Sequence, residues 1–94
     1  MRVLYDHDFV KGPSETLDYT RYWTDYLASD EVISDSAWDV PTDLTNELDT
    51  YADASTTIKL SGGTANHAYV IENTITTDQG RIAVRSWLLT IKER

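Results

Sequence analysis

The sequence predicts an all-β protein, an antiparallel β-sandwich of about seven strands in a single domain. A length of 94 residues provides for one hydrophobic core and no second. Short runs rich in β-branched and aromatic residues recur at intervals of ~8–12 residues, separated by turn residues, as in sandwiches and small barrels. No segment is unambiguously helical, and because the chain has no cysteine the core must hold together without disulfides.

The first 13 residues are a short apolar segment that ends in a turn. Lys11, Gly12 and Pro13 have the composition of that turn, so we expect the sandwich domain over residues 14–94. Residues 1–13 are either an edge strand of this domain or an extended arm that adds to a neighbouring subunit, and the sequence leaves both open. The apolar residues of the segment are Val3, Leu4, Tyr5, Phe9 and Val10.

The middle of the chain contains clear and ambiguous segments. Residues 15–27 alternate apolar and polar side chains, which favours a strand, although their apolar residues also approximate helical spacing. Residues 32–40 are a second β-rich run, which Pro41 ends. Residues 44–51 fit either a helix or a strand, whereas residues 55–60 are predicted to be a short strand.

The β signals are strongest after residue 59. Gly62-Gly63 supplies the positive φ angles that a chain reversal needs, and residues 69–77 then alternate like an antiparallel strand. Asp78-Gln79-Gly80 has the composition of a hairpin loop. Residues 81–91 are apolar on both faces toward their end, which indicates a strand inside a sheet or at a subunit contact.

The position of Tyr69 is the basis for predicting the topology of the sandwich. It follows a loop and opens a late strand, which is the position of the tyrosine corner in immunoglobulin-like sandwiches, where the hydroxyl bonds back to the preceding turn. A half-buried Tyr without that role is the other interpretation. The corner favours an immunoglobulin-like antiparallel β-sandwich.

The charge of the chain excludes whole classes of partner. Its net charge is −8, with a pI near 4.4, which is opposite to the footprint of proteins that bind nucleic acids or anionic membranes. Residues 1–58 contain 13 acidic and 3 basic side chains, whereas residues 59–94 contain 3 and 5. The acidic half is either a solvated surface or a face that docks on a basic partner.

No combination of residues predicts catalysis or a bound metal or cofactor. His7 lies between Asp6 and Asp8, but in an extended chain the two carboxylates face away from the imidazole. His67 falls in an exposed turn outside any recognised nucleophile frame. We therefore expect no catalytic, cofactor-binding or metal-binding residue and no enzyme.

The aromatic residues have two possible uses. The chain contains three Trp, six Tyr and one Phe. We expect Trp23, Trp38 and Trp87 to fill the core, which leaves several Tyr at the surface, where protein contacts enrich them. The alternative is a sugar-binding platform made of exposed Trp rings.

A set of motifs resembles a known family. The most specific part is Leu-Ser-Gly-Gly-Thr-Ala at 60–65, followed by Tyr69, Asn73, Ile-Thr-Thr at 75–77, Gly80-Arg81 and Arg85-Ser86. Looser matches are Lys11, Pro13, Leu17-Asp18-Tyr19, Trp23, Leu27, Ser36, Trp38 and Val40-Pro41. Over about residues 11–92 the sequence is similar to small structural proteins of tailed bacteriophages and prophages, described as fiber-tail adaptor proteins, with an immunoglobulin-like β-sandwich.

The resemblance implies a non-enzymatic virion protein of the tail, neck or baseplate region, made in the host cytoplasm. Such a protein would link these parts to the fiber or to neighbouring virion proteins, as a homo-oligomer or in several copies, with no cofactor, nucleic acid or membrane partner. The acidic half would select a basic partner. The predicted contact residues are Val3, Leu4, Tyr5, Phe9, Tyr22 and Tyr26. The alternative function is a carbohydrate-binding or host-surface adhesion module, or a capsid decoration protein.

Overall fold

The protein is all-β in the part of the chain that its structure describes. The computed structural model describes residues 7–93, with side chains from Phe9 onward. The strands there are β1 (His7–Lys11), β2 (Leu17–Tyr22), β3 (Ile33–Asp39), β4 (Leu44–Tyr51), β5 (Ser55–Gly62), β6 (Ala68–Thr77) and β7 (Ile82–Ile91). Residues 7–93 contain no helix that is long and apolar enough to cross a membrane.

The strands form two sheets. One has the order β1-β7-β6-β3 and the other the order β2-β5-β4. β1 pairs with β7 in parallel, and the remaining four pairings are antiparallel. The prediction of an all-β sandwich with about seven strands is confirmed. The strand orders β2-β5-β4 and β7-β6-β3 resemble the B-E-D and G-F-C orders of immunoglobulin sandwiches, and the immunoglobulin-like topology itself stays a prediction.

The two ambiguous segments both contain strands. In the first, the strand stops at Tyr22, because the carbonyl of Trp23 accepts the backbone N–H groups of both Tyr26 and Leu27 and so makes a turn. The helical interpretation of that segment is therefore wrong. In the second, residues 44–51 are entirely strand β4, so the helical alternative is wrong there as well.

The core lies between the sheets in two clusters. The larger one joins apolar residues of β4, β5, β6 and β7, and the smaller one lies under the loop that follows β2. Trp23 and Trp87 are buried, while Trp38 is partly buried and stacks on Trp87 with ring centroids 4.8 Å apart. The larger cluster consists of Leu44, Ile58, Leu60, Ile71, Trp87, Leu89 and Ile91, and the smaller of Trp23, Ile33 and Ile75.

A buried polar network ties the sheets together. The amide oxygen of Asn73 on β6 accepts a hydrogen bond of 2.6 Å from the hydroxyl of Thr56 on β5. The indole N–H of Trp23 donates to Thr56 Oγ1 at 3.2 Å and to Asn73 Oδ1 at 3.3 Å. The amide nitrogen of Asn73 donates to Ser36 Oγ and to the carbonyl of Ala37 on β3. Because all these groups are paired, the network links the sheets of a chain that has no disulfide.

Tyr69 forms the corner that the sequence predicts. Its hydroxyl accepts a hydrogen bond of 3.0 Å from the backbone N–H of Thr64, five residues upstream. The same hydroxyl donates to Asp43 Oδ2 at 3.0 Å. The corner therefore joins the loop before β6 to the start of β4.

Candidate interaction surface

The basic side chains of the described residues are largely occupied inside the fold. The guanidinium of Arg81 forms an ion pair with the carboxylate of Glu31, with Nε at 2.9 Å from Oε2. Ala28 N–H and Thr77 Oγ1 donate to the same carboxylate at 3.0 and 2.5 Å. These donors, Arg81 foremost, lower the pKa of Glu31 to about 2. The pair fixes the loop between β2 and β3 to the β6–β7 hairpin.

A second pair lies beside the first. Arg85 donates to Asp25 Oδ2 at 3.0 Å, and this hydrogen bond lowers the pKa of the Asp25 carboxyl. The guanidinium of Arg85 also lies over the Trp23 ring, 4.9 Å from its centroid, and that of Arg81 lies 4.4 Å from the Tyr26 centroid. Cations and aromatic rings thus alternate along this end of the sandwich and stabilise the loop.

Lys11, at the end of β1, is completely buried. Its ammonium group donates to the carbonyl oxygens of Gly12 and Glu15 at 2.6 and 2.7 Å. Burial lowers the pKa of Lys11, and the nearby Glu15 carboxylate opposes that shift. Within residues 7–93, Lys59 and Lys92 are the basic side chains that are exposed and form no ion pair. The surface is consequently more acidic than the composition alone indicates.

The uncompensated acidic groups follow one side of the sandwich. Residues 22–58 contain nine acidic side chains and neither Lys nor Arg. β3 and β4, which lie in this stretch, are edge strands of the two sheets and contact each other, with Tyr51 Oη donating to the Ser34 carbonyl at 2.8 Å. The exposed carboxylates of these strands are Asp35, Asp39, Glu47 and Asp49. The acidic half of the sequence therefore forms an acidic edge.

The outer face of the four-stranded sheet carries exposed apolar side chains. Ile82 and Val84, which alternate outward along β7, are 68% and 54% exposed. On the same face, Val70 of β6 lies opposite Leu88 of β7. We call this set the apolar strip; its members are Val10, Val70, Ile82, Val84 and Leu88. Four of them, all but the half-buried Leu88, are exposed, which is unusual for one side of a small sheet.

The sequence contained a signal for this surface. The last run is apolar on both faces, which indicated either an inner strand or a subunit contact. β7 is an inner strand, paired with β1 on one side and β6 on the other. Its outward apolar residues nevertheless remain uncovered in the described part of the chain, and the subunit contact stays a prediction.

The predicted contact residues do not meet on one surface. Tyr22 is 66% exposed at the end of β2, on the outer side of the three-stranded sheet. Phe9 instead packs inward, with its ring centroid 4.8 Å from that of Tyr19 and 5.8 Å from that of Trp87. Tyr26 is partly buried against Trp23, with ring centroids 5.9 Å apart. Val3, Leu4 and Tyr5 lie outside the described residues.

The described residues hold few groups arranged for chemistry. None of the His, Asp and Glu side chains among them form a group of three or more that could hold a metal ion. A recess lies beside the loop between β2 and β3 and is lined in part by Leu27, Glu31 and Asp53. In that recess the Glu31 carboxylate is already saturated by its donors. The exposed sheet face and the acidic edge are therefore the prominent features of the surface.

Comparison with known proteins places the chain in a family. Residues 11–90 match the family described as podophage GP4 fiber-tail adaptor protein gp77. The match runs from the last residue of β1 to the penultimate residue of β7, and so takes in both sheets. Comparison with curated proteins gave no match. The chain belongs to the podophage GP4 fiber-tail adaptor protein family, which confirms the resemblance found in its sequence.

Proposed function

We propose that this protein is a non-enzymatic structural component of a podophage virion, in which it joins the tail to the fiber. The observation that carries the proposal is the family match over residues 11–90, which spans nearly the whole sandwich. The family description supplies the adaptor role. The structure supports it with a surface that combines an exposed apolar sheet face and an acidic edge, both suited to protein contacts.

The use of the titratable groups supports a non-enzymatic role. Glu31, Asp25 and Lys11 are the groups with shifted pKa values that would be the first candidates for catalysis. Each of them is engaged in fixing a loop or a turn, through Arg81, Arg85 and backbone carbonyls respectively. Their shifted pKa values are therefore explained by interactions that stabilise the fold.

The proposed partners are other virion proteins of the tail and fiber, contacted by several copies of the chain around the tail axis. Tyr22 remains a proposed contact residue because it is exposed at a sheet edge, where Tyr is favourable in interfaces. Val3, Leu4 and Tyr5 remain proposed contacts of the N-terminal segment. Phe9 and Tyr26, which pack internally, would position those contacts from beneath.

We do not extend the proposal to carbohydrate binding. A sugar platform requires exposed Trp rings, whereas Trp23 and Trp87 are buried and Trp38 stacks on Trp87. These three residues instead supply much of the aromatic packing between the sheets.

The experiment that tests the adaptor role compares phage particles made with and without this chain. We expect cryo-EM density for the sandwich between tail and fiber, and particles that lack the chain should lose their fibers. A complete set of fibers on particles without the chain would overturn the proposal. Replacing Val3, Leu4 and Tyr5 together with Ser should lower incorporation of the chain, whereas Ser at the exposed Thr45 site should not.

A further inference from the structure

The apolar strip lies beside a column of carboxylates. On the outer face of the four-stranded sheet, Asp35 of β3 pairs with Thr76, which pairs with Ile82 of β7. Four residues further along β3, on the same face, Asp39 pairs with Glu72, whose other neighbour is Ser86. Each of these rows therefore runs from an acidic residue on β3 to the β7 strand.

The face is consequently divided lengthwise. Most of the apolar strip lies on β7, whereas two carboxylates lie on β3 and a third, Glu72, lies on β6, where it accepts a hydrogen bond of 3.4 Å from Ser86 Oγ. Lys92, which follows the end of β7, is exposed and forms no ion pair, whereas the exposed Arg81 just before β7 is paired with Glu31. The three carboxylates are Asp35, Asp39 and Glu72.

A second copy of the chain is a poor occupant of this face. Two copies would bring together two apolar strips, but each would also bring its carboxylate column and a net charge of −8. Like charges brought together in a contact oppose association by up to several kcal/mol. The complementary occupant has an apolar centre bordered by Lys or Arg.

We propose that the outer face of the four-stranded sheet docks a different virion protein, one that presents apolar side chains flanked by basic ones. This inference rests on the proposed function, and it names which face of the adaptor makes a contact and the chemistry of the partner. The apolar strip supplies the buried centre of the contact, and Asp35, Asp39 and Glu72 select the partner and its orientation.

Site-specific photo-crosslinking in intact particles tests the proposal. A benzophenone amino acid replaces Val84 on the strip, and in a matched variant it replaces Leu48, which is similarly exposed at 59% but lies on β4 of the other sheet. We expect the Val84 variant to crosslink to another virion protein at a segment rich in Lys or Arg. The Leu48 variant should not crosslink to that segment.

A single variant, a double variant and a control make the test quantitative. Val84→Glu should lower incorporation into particles at least about tenfold, because the contact would bury an unpaired charge. Asp35→Lys combined with Glu72→Lys should also lower it, whereas Asp30→Lys, at an exposed position in the loop between β2 and β3, should leave it unchanged. Circular dichroism of each purified variant separates loss of docking from loss of folding, since all these side chains point to solvent or to the sheet surface.

The outcomes distinguish the two proposals. Crosslinking of Val84 to a second copy, or to nothing while the chain is present in the particle, overturns the docking face and leaves the adaptor role standing. Absence of the chain from purified particles overturns the adaptor role and with it this inference. Normal incorporation of folded Val84→Glu protein would likewise overturn the docking face.

Discussion

Glu31 and Arg81, 50 residues apart in the sequence, form the ion pair that fixes the loop after β2 to the β6–β7 hairpin. The pair is lopsided, because the carboxylate of Glu31 is almost completely buried whereas the Arg81 side chain is about half exposed. The four donors around Glu31 account for its low pKa. Its contribution to stability therefore depends on pH.

We predict that Glu31→Gln destabilises the protein at neutral pH and that this effect fades in acid. The pKa of the Glu31 carboxyl falls from 4.5 to about 2 on folding. A lowered carboxyl pKa contributes stability above the unfolded value, which is lost as the pH falls from about 4.5 toward 2. Thermal unfolding followed by circular dichroism should show a midpoint lower by at least about 4 °C at pH 7. Asp30→Asn, at an exposed neighbouring position, is the control; an unchanged deficit at pH 2 would contradict the assignment.

Removing a hydroxyl from the buried network should destabilise the protein more than removing one from the surface. Thr56→Val removes the group that donates to Asn73 at 2.6 Å and leaves a buried amide oxygen short of a donor. We expect a loss of about 1–3 kcal/mol in the free energy of unfolding. Thr57→Val makes the same chemical change at the next position, where the hydroxyl pairs with Thr20 at the surface, and should cost under about 0.5 kcal/mol. Chemical denaturation measures both; equal losses would mean that the network is not a stabilising element.

Glycine is required at position 63 both for its positive φ and because a Cβ would not fit there. Gly80 has only the first of these constraints, so comparing the two positions separates their contributions. Gly63 has φ +97°, and an added Cβ would lie 2.7 Å from Ile91 Cγ1. Gly80 has φ +83° but open space around it. We expect Gly80→Ala to cost about 1 kcal/mol from backbone strain alone and Gly63→Ala roughly 3 kcal/mol, because overpacking adds to the strain. Denaturant titration of the two variants gives the difference, and a Gly63→Ala cost no larger than that of Gly80→Ala would rule out the packing contribution.

The tyrosine corner should depend on one oxygen atom. Tyr69→Phe removes the acceptor of the Thr64 N–H and the donor to Asp43. We expect a loss of about 1–2 kcal/mol in the free energy of unfolding. Tyr22→Phe, at an exposed site, should change stability by less than about 0.5 kcal/mol. Amide hydrogen exchange at Thr64 provides a local readout, and unaltered protection in the Tyr69→Phe protein would argue against the corner.

Local signals were enough to predict most of the fold. Gly62-Gly63 and Gly80 do have positive φ, and Tyr69 does form its corner, because turns are determined by the residues within them. The end of β2 was harder to predict. Aromatic residues continue past Tyr22 at Trp23 and Tyr26, so the pattern does not mark the end of the strand. The strand ends at the turn in which the Trp23 carbonyl accepts the N–H groups of Tyr26 and Leu27.

The surface was less predictable because it depends on partners distant in sequence. Phe9 and Tyr26 are aromatic and so were reasonable contact candidates, but their rings are covered by Tyr19, Trp87 and Trp23. Alternation alone could not show that Ile82 and Val84 are left uncovered. Nor could it show that Arg81 and Arg85 are neutralised by carboxylates 50 and 60 residues away.

The parallel pairing of the first and last described strands determines how the sandwich would carry a mechanical load. β1 and β7 run side by side in one direction, from the His7–Trp87 pair to the Lys11–Ile91 pair. A force that slides one strand along the other strains the hydrogen bonds of this ladder together in shear. They cannot be opened one at a time, as they would be if the strands were peeled apart. The proposed role of joining tail to fiber would gain from that geometry, because the ladder would resist the pull of an attached fiber as one unit.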